Sequence, residues 1–266
     1  MTSGPKSLGI ATDILVLGDR ARVETHELGW VLRTPDEPDF WYGNQLILKG
    51  DPPAPDLAIA AFREAFPKAE HVTLSWDSPE RSLAADLDNL AERGVIIEQD
   101  DVLSLEAPPT NAKVPHGFQL REVESDRDWA KVADLKVEIG VEEGYAEEGY
   151  HAFIRGRCAG WRKAIAAGEG AWFGAFEGET LAADLGLFTD GLIARFQSVE
   201  TAAAYRRRGL CSALVVYALN WLAAHAPQAH PVIVAEADGD AGRLYRRLGF
   251  ALTERQTSAL LRPEGR

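Results

Sequence analysis

Two hydrophobic periods alternate along this chain. Apolar runs bounded by turn residues read as strands, and apolar positions recurring every three or four residues read as helices. In the second half a strand is predicted at 117–122 and followed by Ser125-Asp126-Arg127-Asp128, which has the form of a helix-capping box. A second helical stretch covers 150–167. Strands are predicted at 171–176, 181–188 and 192–200, with Glu177-Gly178-Glu179-Thr180 and Thr189-Asp190-Gly191 as turns. Leu210, Leu214, Ala218 and Leu222 then lie on one helical face, a short apolar strand runs over 231–235, and a helix over 238–248 ends at Gly249 before two short closing strands.

The first half follows a fainter version of the same order. Strands are predicted at 13–17, 21–27, 30–34 and 41–49, a helix at 56–66, and a strand at 71–76. A helix at 78–93 has Ser78 as cap, Pro79 at its first position and Leu83, Leu87 and Leu90 on one face. Two strands at 95–98 and 102–106 complete it. Between the halves, Ala107-Pro108-Pro109-Thr110-Asn111-Ala112-Lys113-Val114-Pro115 has the composition of a linker. The expectation is an α/β (α+β) chain, with a mixed central sheet flanked by helices and duplicated over domains 1–110 and 116–266.

Charge and cysteine content narrow the function. A formal net charge of −13 over 266 residues argues against a nucleic-acid partner, which needs a positive field. The 2 cysteines, Cys158 and Cys211, are too few for a disulfide framework, and the 6 histidines lack ligand spacing, so no metal site is expected. Asp13 and Asp19 interrupt the only apolar run near the start, and no segment reaches membrane-spanning length. The expectation is a cytoplasmic protein without a membrane partner, a monomer or homodimer.

The candidate chemistry lies where a strand meets a helix. Arg206-Arg207-Arg208-Gly209-Leu210-Cys211-Ser212 places three guanidinium groups and a glycine at a helix start, where unpaired N–H groups and the helix dipole make an anion site. Further on, Asp238, Ala241, Leu244, Tyr245, Gly249 and Phe250 recur in the stretch 238–250. Together the two motifs resemble the GNAT superfamily of acyl-CoA N-acyltransferases. Its pyrophosphate loop, Arg/Gln-x-x-Gly-x-Gly/Ala, is matched by Arg206 and Gly209. Its Asn-x-x-Ala-x-x-Leu-Tyr-x-x-x-Gly-Phe stretch is matched by Ala241, Leu244, Tyr245, Gly249 and Phe250. Cys211 stands where the family has Gly or Ala, and Asp238 where it often has Asn.

The resemblance implies the GNAT fold and acetyl-CoA, or another acyl-CoA, as co-substrate. It implies direct transfer of the acyl group to a primary amine on a small molecule, peptide or protein. Val199 and Thr201 would pair through their backbones with the pantetheine arm, and residues 206–212 would hold the pyrophosphate. Tyr245 would protonate the leaving thiolate. The usual base position falls on Arg195, which cannot accept a proton, so Glu200 is the remaining carboxylate candidate, placed by strand alternation opposite Val199 and Thr201 unless a bulge intervenes. Twofold Glu-Glu-Gly-Tyr, at 142–145 and 147–150, borders the expected acceptor groove. In the first half, Asp51-Pro52-Pro53-Ala54-Pro55 replaces the arginine–glycine turn, which implies a degenerate, non-binding copy. The reading of a different class is a non-catalytic acyl-CoA sensor or regulatory module. A phosphate-loop NTPase is excluded by the absence of Gly-x-x-x-x-Gly-Lys-Ser/Thr.

Overall fold

The computed structural model describes residues 4–81, 83 and 86–263. One unit draws on the chain up to Leu103, on Val234–Gly242 and on the chain from Leu252 onward; the other on Ser104–Ile233 and Arg243–Ala251. The chain's last strand therefore belongs with its first residues.

The first unit begins with helix α1 (Leu8–Leu17), where apolar content predicts a strand at 13–17. Its start explains the difference. Ser7 caps Ile10 N–H, while both carboxylate oxygens of Glu254 accept from the turn: Gly9 N–H at 2.7 Å and Leu8 N–H at 3.2 Å, with Ser7 Oγ–H at 2.6 Å. Asp77 takes the N–H groups of Lys6 and Ser7. Partners 70 and 245 residues away along the chain satisfy the helix start, and no local pattern carries that information.

Strands β1 (Arg22–His26), β2 (Gly29–Arg33), β3 (Gln45–Lys49), β4 (Val72–Asp77) and β5 (Ile96–Leu105) follow, with helix α2 (Pro55–Ala65) between β3 and β4. β1, β2 and β3 pair antiparallel, β3 and β4 parallel, and β4 pairs antiparallel with the C-terminal strand through Ser258↔Ser75 to Leu261↔Val72. The helix predicted at 78–93 is reduced among the described residues to α3 (Asp88–Ala91), with 82, 84 and 85 outside them. Leu83, Leu87 and Leu90 nevertheless enter the core with Phe62, Leu74, Trp76 and Ala259. Their apolar spacing encoded burial, and irregular backbone achieves it.

In the second unit, β6 (Gln119–Glu122), β7 (Gly170–Glu177), β8 (Thr180–Thr189), β9 (Ile193–Thr201) and β10 (His230–Glu236) lie in the order β10-β9-β8-β7-β6. Only β9–β10 is parallel, as expected across a helical crossover. Helices α4 (Asp126–Glu142), α5 (Glu147–Ala166) and α6 (Leu210–His225) cover the sheet. Trp172 packs on Trp129 of α4 and Trp161 of α5, whereas its neighbour Phe173 packs on Tyr217 and Trp221 of α6. Successive strand residues point to opposite faces, so helices cover both. The capping box is present: Ser125 Oγ accepts from Asp128 N–H, and Arg121 clamps both oxygens of Asp128. Helix α7 (Asp240–Arg247) leads into one long strand, β11 (Phe250–Leu261), in place of the two short strands predicted. The architecture is a mixed sheet flanked by helices.

Candidate active site

The site is built on a parallel pair that stops early. β9 and β10 pair at Ile193↔His230, Ala194↔Pro231 and Arg195↔Val232, and no register pair follows among the described residues. Beyond that point β9 has a bulge. Between the pairs Gly186↔Gln197 and Asp184↔Glu200 it carries two residues, Ser198 and Val199, against the single Leu185 of β8. Ser198 takes φ 48°, a left-handed conformation that the extra residue imposes.

The bulge resets the alternation. Arg195 and Gln197 share one face through their partners Phe188 and Gly186, and the inserted residue brings Glu200 onto that face as well. Glu200 remains opposite Thr201, whose partner is Ala183. Val199 and Thr201 are half-buried, and the Thr201 carbonyl accepts from Arg206 Nε at 3.1 Å.

The arginine–glycine turn follows. Ala203–Tyr205 forms a single 3-10 turn, and Arg207 (φ 64°) and Gly209 (φ 85°) adopt left-handed conformations before α6 begins. At Gly209 this φ is the glycine requirement; a Cβ there would meet nothing within 4 Å. The helix's first acceptor, Gly209 O, bonds Ala213 N–H, so the N–H groups of Leu210, Cys211 and Ser212 precede any helical acceptor. Arg206, Arg207 and Arg208 are exposed around them, with Arg208 over the Tyr205 ring and Arg206 paired to Glu142 at 2.5 Å. The donor set fits a pyrophosphate: a helix start, a left-handed glycine and exposed guanidinium groups.

Two hydroxyl- and thiol-bearing residues meet behind this turn. Tyr245 is 3% exposed, and its phenol donates to Cys211 Sγ. Burial raises the pKa of both; it pushes Cys211 up to about 12 although the bond from Tyr245 pulls it down. Both groups are neutral near pH 7. A protonated phenol suits proton donation, whereas a neutral thiol does not suit nucleophilic attack. Leu210 is buried and Ser212 and Leu244 half-buried in the same unit, while Asp238 and Ala241 fall in the first unit, Asp238 at 3.5 Å from Arg255. Arg195 is 8% exposed and donates from Nε to Phe196 O.

Glu200 has partners that sequence reasoning missed. Its Oε2 forms an ion pair with Lys136 Nζ at 3.0 Å, and that ammonium donates to Asp184 Oδ1 at 3.1 Å and Ser198 O at 3.3 Å. Trp172 Nε1 donates to the other Asp184 oxygen at 2.8 Å. A signal was available: Lys136 interrupts the apolar stripe of α4, and Asp184 stands inside the apolar run of β8. Around them Tyr145 and Tyr150 stack at 4.7 Å, and Gly140 is so close to Tyr150 that a Cβ would clash. Among the described residues no group of three or more His, Cys, Asp and Glu is placed to hold a metal, and no helix is long and apolar enough to cross a membrane.

Residues 132–250 match the model of the acetyltransferase (GNAT) family. Among solved structures, a functionally unknown conserved protein from Staphylococcus epidermidis is similar over 94% of this chain and 96% of its own, with 13% identity and TM-score 0.67. A GCN5-related N-acetyltransferase from Kribbella flavida is similar over 100% and 98%, with 18% identity and TM-score 0.61. A tandem GNAT protein from the clavulanic acid biosynthesis pathway is similar over 97% and 90%, with 14% identity and TM-score 0.56. No curated protein matches. The likeness in structure is one of fold, and within the chain residues 132–250 match the GNAT acetyltransferase family model.

Proposed function

We propose that the second unit moves an acetyl group from acetyl-CoA directly to a primary amine. The observation that carries this reading is the open start of α6: three N–H groups, a left-handed Gly209 and three exposed arginines beside a bulged strand. Residues 206–212 would bind the pyrophosphate, and the backbone of Val199 and Thr201 would pair with the pantetheine arm. Leu244 is proposed to complete the cofactor site, as the family motif implies.

The amine must be neutral to attack, and Glu200 is proposed to take its proton. The amine nitrogen then bonds to the thioester carbonyl carbon, the C–S bond breaks, the departing thiolate takes the Tyr245 proton, and the second proton lost from the nitrogen goes to solvent, which returns one to Tyr245. The CoA sulfur would replace Cys211 Sγ as the acceptor of that phenol. Cys158 and Cys211 are free thiols, which fits the reducing cytoplasm.

Free CoA thiol released from acetyl-CoA across a panel of polyamines, amino acids and peptides tests the reading. Amine-dependent release is expected. One molecule of acetyl-CoA bound per chain with no release on any amine would favour the sensor instead.

A further inference from the structure

We propose that Lys136 is a positioning residue of the transfer site, tying the β9 bulge to Asp184 and Glu200 and holding Glu200 as the carboxylate that accepts the amine proton. The proposal rests on the acyl-transfer reading above. Lys136 is 2% exposed, and an ammonium is buried this deeply only with good partners. It has three, all from β8 and β9: Asp184, the carbonyl of the bulged Ser198, and Glu200.

A lysine serving the fold alone needs one carboxylate. Here two carboxylates face one ammonium, leaving an excess negative charge, and the Glu200 side chain is the exposed end of the set at 25%. Asp184 is fully buried and fixed by Trp172 and Lys136 together. The excess charge therefore meets solvent only at Glu200, one residue past the bulge. An incoming R–NH3+ would give its proton to the Glu200 carboxylate, leaving R–NH2 and a neutral carboxylic acid, and the freed lone pair would attack the thioester.

The charges around this group come from every element packed there. Lys136 and Glu142 come from α4, Tyr150, Cys158 and Arg157 from α5, Asp184 from β8, Glu200 from β9, and Glu143, Tyr145 and Arg206 from the flanking loops. Burial lowers the Lys136 pKa, but Asp184 and Glu200 together overcome this and hold it above its ordinary value. Burial pushes the Asp184 carboxyl up against the pull of Lys136. Lys136 draws the Asp184 carboxyl toward its ionised form, but burial and the neighbouring Glu200 outweigh that pull.

The test is a pH titration of the full chain labelled with 13C at its carboxyl carbons, the Glu200 signal being identified by its loss in Glu200→Gln. Lys136→Met should move the Glu200 midpoint up by about one pH unit or more, the effect of losing an opposite charge at this range. Asp184→Asn keeps an oxygen for Trp172 but removes a like charge, and should move the midpoint down by roughly half a unit or more. Turnover should fall at least about tenfold in Lys136→Met, while Asp184→Asn keeps its acetyl-CoA affinity within about threefold. Opposite displacements together with the loss of turnover in Lys136→Met support the proposal, because a lysine serving the fold alone would leave the turnover of a folded variant unchanged; displaced midpoints with wild-type turnover overturn it. Unmoved midpoints, or displacement in one direction in both variants, overturn it. If Lys136→Met does not fold, Asp184→Asn decides alone, and an unmoved midpoint there is fatal. A wild-type chain that acylates no amine would remove the transfer reading through the thiol assay, whatever the titration gives; normal transfer with unmoved midpoints would remove the role of Lys136 alone.

Discussion

The chain contains two parallel strand–helix–strand crossovers, β3–α2–β4 and β9–α6–β10, and they end differently. In the first, the strands stay paired to the last residue, Lys49↔Asp77. In the second, pairing stops after Arg195↔Val232 and β9 bulges three residues later. The helix starts differ as well. α2 opens with Ala54 and Pro55 and no side-chain cap, whereas α6 opens at a left-handed glycine among arginines. Closed pairing leaves no unpaired strand edge for a ligand to join, and proline offers a phosphate no N–H. Shared topology alone thus marks no site; the bulge and the turn chemistry are what the proposed site rests on.

The largest effect should come from Gly209→Glu. The substitution forces a side chain into φ 85° and sets a carboxylate where the phosphate would lie. Acetyl-CoA affinity measured by calorimetry should fall by roughly a thousandfold or more, given the loss of charge-assisted bonds to the phosphates. Wild type should bind one equivalent per chain. Two equivalents would break the comparison, since the first crossover would then hold a ligand too.

Next is Tyr245→Phe. Removing the proton donor proposed for the transition state should lower turnover ~10²-fold and change acetyl-CoA affinity by less than about threefold. The ring packing against Phe250 stays. Wild-type turnover in this variant would reassign Tyr245 to packing and to its contact with Cys211.

Much of this was legible in the sequence where the information is local. The strands of the second half, the Ser125 capping box and the arginine–glycine turn depend on neighbours a few residues apart. What escaped depends on distant partners. α1 reads as a strand because its apolar run is short, and the distant Asp77 and Glu254 join Ser7 in satisfying its helical start. The bulge at Ser198 has no sequence signature; it is visible only against β8. The Lys136–Asp184–Glu200 group draws on three elements, each contributing one charge in an apolar setting.

Those distant partners give the third test. Glu254, 5% exposed, fills the start of α1 with an internal carboxylate, the same physics that α6 offers to a ligand. Glu254→Gln presents an amide to donors and should cost about 2 kcal/mol, the range of bonds to a charged group, or roughly 5 °C in Tm. A fragment ending at Thr110 lacks Glu254 and the β4 partner Ser258–Leu261, and should not fold alone. Cooperative unfolding of that fragment would show the first unit to be independent of the C-terminal strand.

The smallest effect separates the units by acid. In the second unit, Arg121 bonds both oxygens of Asp128 and holds its carboxyl at about 2, below the ordinary 3.8. A depressed folded pKa stabilises the protein above the unfolded value and is lost as pH falls through the folded one, so this contribution is complete above about pH 4 and gone near pH 2. Asp128 is 9% exposed but Arg121 is 35% exposed, so solvent screens the pair and the contribution is about 1–2 kcal/mol. Asp128→Asn keeps an oxygen toward Ser125 and removes the charge, so the variant should lose that stability at pH 7 and little at pH 2. Three tryptophans of this unit, Trp129 and Trp161 each packed at a tilt on Trp172, report on it through near-ultraviolet circular dichroism during urea unfolding. A loss of stability equal at pH 7 and pH 2 would mean that Asp128 acts through helix-cap geometry and not through its charge.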